Sequence, residues 1–210
     1  HLLAGLDARP ELLALTHRHP DDPAIALLEA DVLADNTAML TVFRRSRLSS
    51  SETEADGVIH LAAMWLLHCK DFPRTAFHVN IEGTFNVLEA CVNNNIKRLV
   101  YSSSASVYGD AVQVPMTEDH PFNNRNFYGA TKIAGEAMCH AYHDRFGLSY
   151  VGLRYMNVYG PLQDQTAAYT GVIPIMLNKI DDNEGPVING DGTQAYDFIY
   201  VEDVARCNVA

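Results

Sequence analysis

Apolar positions along the 210-residue chain fall into two alternating rhythms. Short, nearly continuous apolar runs occur at 25–31, 58–63, 96–104, 148–155 and 196–201. Runs of this length, bounded by turn residues, predict strands buried on both faces, as in a parallel sheet. A further short strand is expected near 12–16. Between the runs lie stretches with helical spacing. Residues 75–93 carry Phe77, Ile81, Phe85, Leu88 and Val92 on one face, and Gly83 falls inside that helix. Residues 128–146 form a second helix, stopped by Gly147. In the helix over 170–180, Pro174 is tolerated only near the first turn, which places the start near Gly171. Asn189, Gly190, Asp191 and Gly192 read as a turn, and Glu202 and Asp203 open a last helix at Val204. Residues 1–6 read as the end of a helix, and 35–56 as a helix followed by a surface loop. Strand and helix alternate at crossover spacing, which predicts an α/β fold: a parallel sheet with helices on both faces.

Composition narrows the function. With 48% hydrophobic residues a sizeable core can form. Fifteen basic against 26 acidic residues give a net charge of −11. That balance, without a basic block, argues against nucleic acid as a partner. No apolar run is long enough to span a membrane. The cysteines Cys69, Cys91, Cys139 and Cys207 form no C-x-x-C pair and read as buried thiols of a reducing compartment. A cytoplasmic location is expected. The chain opens at His1 directly into a helix-like run, which reads as a sequence truncated at that end. No metal site is expected: His140 and His143 sit three apart on one helix, without a third ligand.

The candidate chemistry is concentrated in one stretch. Ser102, Ser103 and Ser104 end the strand at 96–104, the edge where open α/β sheets bind ligands. Tyr128 begins the next helix, and Lys132 lies four residues on, on the same face. A phenol near pKa 10 is a weak base at neutral pH, and a neighbouring cation favours the phenolate. Tyr128 could then take a proton from a substrate hydroxyl while Ser104 bonds the same oxygen.

Six blocks in order carry a resemblance: VIHLAA at 58–63, NIEGTFNVLEA at 80–90, RLVYSSSASVYG at 98–109, YGATK at 128–132, LRYMNVYGP at 153–161 and GDGTQAYDFIYVEDVA at 190–205. On these the chain resembles the extended short-chain dehydrogenase/reductases, the NAD-dependent epimerase/dehydratase group, and within it the sugar-nucleotide 4-epimerases. The resemblance implies a Rossmann-like NAD-binding domain over 1–157, lacking its first strand and glycine loop, and part of a substrate lobe over 158–210. It implies Ser104, Tyr128 and Lys132 as catalytic residues. NAD would meet Asp31, Val32, Leu61, Ala62, Ala63, Asn80, Ser102, Tyr128, Lys132 and Tyr155. A nucleotide sugar would meet Ser104, Ala105, Ser106, Asn157 and Tyr196. A homodimer through helices 75–93 and 128–146 is also implied.

The implied reaction is epimerisation at C4 of a UDP-glucose or galactose type substrate through a transient 4-keto sugar. Dehydratases of the group carry an Asp-Glu pair after the active-site hydroxyl residue, where this chain has Ala105 and Ser106. Reductase, decarboxylase and dehydratase activities remain alternatives, as does a non-catalytic binding or oligomerisation module. Two departures from the family pattern stand out. The sequence contains no G-x-x-G-x-x-G loop, which cradles the dinucleotide pyrophosphate. Tyr196 stands where an arginine commonly binds the substrate diphosphate.

Overall fold

The computed structural model describes residues 15–19, 22–29, 57–60, 63–161, 163 and 171–210, with side chains from 63 onward. The helix expected at 1–6, the whole of 35–56, and Asp31, Val32, Leu61 and Ala62 lie outside the described residues. The described residues up to Arg154 belong to one compact unit and those from Tyr155 onward to a second, so the division falls just before the boundary expected after 157.

The first unit contains a five-stranded sheet in the order β1 (Leu15–His19), β2 (Asp22–Glu29), β3 (Gly57–His60), β4 (Arg98–Ser104), β5 (Ser149–Tyr155). Strands β2, β3 and β4 are parallel, with Ile25 opposite Gly57 and Gly57 opposite Arg98. This is the expected Rossmann-like parallel sheet flanked by helices. Its edge departs from a wholly parallel arrangement, because β1 runs antiparallel to β2, with Leu15 opposite Glu29. Only Pro20 and Asp21 separate the two strands, and so short a connection joins antiparallel neighbours, whereas a parallel pair needs a crossover.

Strand β4 is buried from Leu99 to Ser103, which explains its continuous apolar start. The helix before it is not the single α-helix that the spacing predicts. It follows α1 (Leu66–Asp71) and comprises α2 (Pro73–Ala76), a π-helical turn (Phe77–Glu82) and α3 (Gly83–Asn93). Within the widened turn the Thr84 hydroxyl donates to the Asn80 carbonyl at 2.6 Å. Turns of this kind cluster at functional sites.

Helix α4 (Phe127–Phe146) crosses β4 and begins at an Asn126 cap, whose side chain accepts from the Gly129 N–H at 2.7 Å. It ends at Gly147, which adopts φ +71°. Two glycines let it lie close. A Cβ on Gly135 would fall 2.0 Å from the Tyr101 hydroxyl, and one on Gly129 would fall 2.5 Å from the Ser106 carbonyl oxygen. The core between α3, α4 and β4 is Val87, Leu88, Cys91, Leu99, Tyr101, Cys139 and Leu148. Burial pushes the Cys91 and Cys139 thiols up to about 12, so both stay protonated in the core. Cys69 is also buried, whereas Cys207 is exposed, contrary to expectation.

The second unit contains β6 (Asn157–Tyr159) paired in parallel with β7 (Phe198–Tyr200), α5 (Val172–Asp181) and α6 (Val201–Val209). Gly171 caps α5 and Pro174 sits in its first turn, as the proline position requires. Helix α6 starts at Val201, earlier than the expected Val204, and buries Val201, Val204, Ala205 and Asn208. Among the described residues no helix is long and apolar enough to cross a membrane, and no group of three or more His, Cys, Asp or Glu side chains could hold a metal ion.

Candidate active site

The C-terminal end of β4 and the first two turns of α4 build the site. Strand β4 passes into a 3-10 turn at Ala105–Val107. Ser104 is extended (φ −154°, ψ 148°), and its Oγ accepts from the Ser106 N–H at 3.2 Å, capping that turn. The same serine side chain lies near enough to the phenol of Tyr128 to favour its ionised form. One helical turn further on, Lys132 is only 3% exposed, and its Nζ donates to the Ser102 carbonyl at 2.7 Å. The ammonium lies 5.4 Å from the Tyr101 ring centroid and 5.7 Å from that of Tyr128, against ring faces that attract a cation. The structure therefore brings together Ser104, Tyr128, Lys132 and Ser102.

The electrostatics differ from the expectation that the ammonium would lower the phenol's pKa. Burial raises Tyr128 to about 12, while the Ser104 side chain opposes that rise. Burial also lowers Lys132 to about 8, so the ammonium is held against a desolvation cost. At neutral pH these groups form a protonated phenol beside a lysine close to its titration point.

Asn80, expected at the cofactor, acts here as a clamp. Its Oδ1 accepts from the Met64 N–H at 2.7 Å, and its Nδ2 donates to the Met64 carbonyl and to Thr131 Oγ1, both at 3.0 Å. Thr131 in turn donates to the Tyr128 carbonyl at 2.7 Å. Asn80 thus ties the segment after β3 to the turn of α4 that carries the phenol and the ammonium. Met64, Cys69 and Ala76 pack beneath, with Tyr128 against them. Ala63 is half-buried next to this clamp. Ala105 and Ser106 lie in the turn that Ser104 caps.

The remaining predicted residues belong to the second unit. The Tyr155 hydroxyl donates to Asn208 Oδ1 at 2.7 Å, and Asn157 Nδ2 donates to the Asp197 carbonyl at 2.9 Å. Tyr196 is exposed. Sequence reasoning named Ser103 among the strand-end serines but missed Glu136 and its pairing with Ser103 and Arg154, which form a further layer. Ser103 Oγ donates to Glu136 Oε1, and Arg154 donates to the same carboxylate from Nε at 3.0 Å and Nη2 at 2.8 Å. The legible signal was position: Tyr128, Lys132 and Glu136 recur every four residues on one helix face.

A strand-end serine beside a helix tyrosine and lysine, at the edge of a Rossmann-like sheet, is the arrangement expected of the short-chain dehydrogenase/reductase class. Comparison with known proteins agrees. The family model for the NAD dependent epimerase/dehydratase family matches residues 1–210. UDP-glucose 4-epimerase of Lacticaseibacillus casei is 32% identical over 207 residues, covering 92% of this chain and 60% of that protein. UDP-N-acetylglucosamine 4-epimerase from Methanobrevibacter ruminantium M1, solved with UDP-N-acetylmuramic acid, superposes with TM-score 0.70 at 40% identity, over 73% of this chain and 50% of that one. UDP-glucuronic acid 4-epimerase from Bacillus cereus, solved with UDP-glucuronic acid and NAD, gives TM-score 0.63 at 36% identity, over 73% and 48%. The chain belongs to the NAD dependent epimerase/dehydratase family. It spans about half the length of these relatives.

Proposed function

We propose that this chain carries the catalytic core of an NAD-dependent epimerase acting at C4 of a nucleotide-diphosphate sugar. The observation that carries the reading is the buried Lys132 ammonium, 5.7 Å from the Tyr128 ring, with the Ser104 side chain near enough to favour the ionised phenol. The residues present suit the nicotinamide end of NAD. A phenol, a hydroxyl and an ammonium can hold and move a proton, and oxidation of a sugar alcohol needs in addition a hydride acceptor. NAD, when bound, supplies that acceptor and, while oxidised, a positive charge beside the phenol.

The chain's own groups do the rest. Tyr128 Oη, once its own proton has left to solvent and the phenolate is stabilised by the neighbouring positive charge, takes the proton of the C4 hydroxyl and later returns it. Ser104 Oγ bonds the same oxygen and holds it in line with the phenol. Lys132 stabilises the phenolate through charge. Ser102 anchors the ammonium through its carbonyl, and Asn80 and Thr131 fix the turn that presents both groups. After C4 is oxidised, rotation of the 4-keto sugar exposes its other face, and reversal of the same proton path gives the epimer. Loss of water would need an acid next to Ser104. Ala105 and Ser106 occupy those places, and the Glu136 carboxylate is already taken up by Ser103 and Arg154. This supports epimerisation over dehydration.

We further propose that a second copy of the chain covers the faces of α3 and α4 that expose Phe85 and Phe146, where Phe85 and Tyr142 meet edge to face at 6.0 Å. Sedimentation of the purified chain as a monomer would refute that dimer.

The function is tested by titrating the purified chain with NAD and then following interconversion of UDP-glucose and UDP-galactose. Saturable NAD binding, with turnover lost in Tyr128→Phe while the fold is kept, is the expected outcome. Turnover unchanged in Tyr128→Phe ends this mechanism, and absence of NAD binding favours a non-catalytic module.

A further inference from the structure

We propose that Glu136 is a positioning residue: clamped by Arg154, it fixes Ser103 and so aims the Ser104 hydroxyl at Tyr128. This rests on the proposed function above and extends it to a second layer of side chains.

Helix α4 meets the end of β4 through three residues spaced one turn apart. Tyr128 lies near the Ser104 side chain, which favours its ionised form, Lys132 bonds the Ser102 carbonyl, and Glu136 accepts from the Ser103 hydroxyl. Three consecutive serines are thereby met from one helix face. In an extended strand neighbouring side chains point to opposite faces. Ser103 and Ser104 therefore do not share a face through the pleat; holding Ser103 to α4 instead anchors the last residues of β4, and with them the point from which Ser104 leaves the strand as it turns toward the start of α4. Ser104 is still extended, and its oxygen accepts from the Ser106 N–H while staying near enough to the phenol to favour its ionised form. A small rotation of the strand end would cost it that bond or that proximity.

The carboxylate is itself held rigidly. Arg154 Nε and Nη2 grip it as a fork, Arg154 Nη1 reaches the Tyr108 hydroxyl at 3.1 Å and the Glu118 carbonyl at 2.9 Å, and the guanidinium lies 5.0 Å from the rings of Tyr108 and Phe122. The Glu136 and Arg154 side chains are only 14% and 20% exposed, so neither can reorient into water cheaply. A fork of this kind fixes a plane as well as a distance. Strand β5 thus holds the carboxylate, and the carboxylate holds the serine strand.

The test reads the phenol directly, without turnover. The chain is labelled with carbon-13 at tyrosine Cζ, and the Tyr128 resonance is assigned by its loss in Tyr128→Phe. Ser104→Ala then gives the resonance position of a phenol without its serine partner. Ser103→Ala and Glu136→Ala, each checked for an intact fold by circular dichroism, are expected to move the Tyr128 resonance most of the way to that position. Glu136→Gln, which keeps an acceptor for Ser103, is expected to restore it in large part. If Ser104→Ala moves the resonance but folded Ser103→Ala does not, Glu136 is only a structural brace and the proposal is overturned while the site reading stands. If Ser104→Ala itself leaves the resonance in place, the serine–phenol pair fails, and both readings fall together. Should Glu136→Ala not fold, Ser103→Ala decides alone, since it removes a single buried hydroxyl and leaves the Glu136–Arg154 pair in place.

Discussion

Replacing Lys132 by Met separates the cost of the buried charge from every other feature of the site. An ordinary lysine titrates at 10.5, but burial lowers Lys132 to about 8. At about 1.4 kcal/mol per pH unit, that gap corresponds to about 3 kcal/mol. Below about pH 8 the folded and unfolded chains both carry the proton, and the full penalty for burying the charge is present. Between about 8 and 10.5 the folded chain has released the proton while the unfolded chain still holds it. Stability therefore rises with pH across this window and, for this group, is lost again as pH falls through the folded value. Lys132→Met has similar length and no charge, so it lacks that dependence. It also lacks the bond to the Ser102 carbonyl, a loss that does not vary with pH. Urea unfolding of both proteins between about pH 7 and about pH 10 gives the difference. The original chain should gain on the variant by about 2 to 3 kcal/mol over that range, and the other titrating groups cancel in the comparison. A difference that stays flat with pH would show that the Lys132 ammonium is solvated and not buried, and its place against the phenol would go with it; a neutral amine in the folded chain at about pH 7 would instead give a steeper rise.

Other expectations follow from packing and hydrogen bonding. Gly129→Ala places a Cβ against the Ser106 carbonyl and the Asn124 side chain, and should cost about 1 to 3 kcal/mol in urea unfolding as α4 is pushed off the serine turn. Asn80→Ala leaves the buried Met64 N–H without its acceptor and the Thr131 oxygen without its donor, which should cost about 2 kcal/mol or more in the same assay. Arg154→Leu leaves the Glu136 carboxylate unpaired and should cost about 3 kcal/mol, whereas Arg154→Leu with Glu136→Leu should cost less than the two single changes together, since no charge is left without its partner.

Much of the architecture was legible because it rests on local rules. The period of apolar residues in 75–93 and 128–146, the stop at Gly147, the place of Pro174 and the continuous apolar start of β4 each follow from backbone geometry and burial. The catalytic candidates were legible for a related reason: Tyr128 and Lys132 share a helix face by spacing, and Ser104 ends a strand. Other features have no local signature. The antiparallel edge at β1 and the π-helical turn around Asn80 depend on partners that spacing does not name. Asn80 reaches Met64 and Thr131, 16 and 51 residues away in the chain.

The order of residues by itself set the helices, the strands and which side chains would share a face. Only the folded chain decided the charges and the second layer: burial, not the neighbouring ammonium, governs the Tyr128 phenol, and Arg154, 18 residues from Glu136, is the group that holds its carboxylate. The reason is one of range. Periodicity and capping act within a turn or two of the backbone, whereas desolvation and ion pairing depend on what packs nearby from distant parts of the chain.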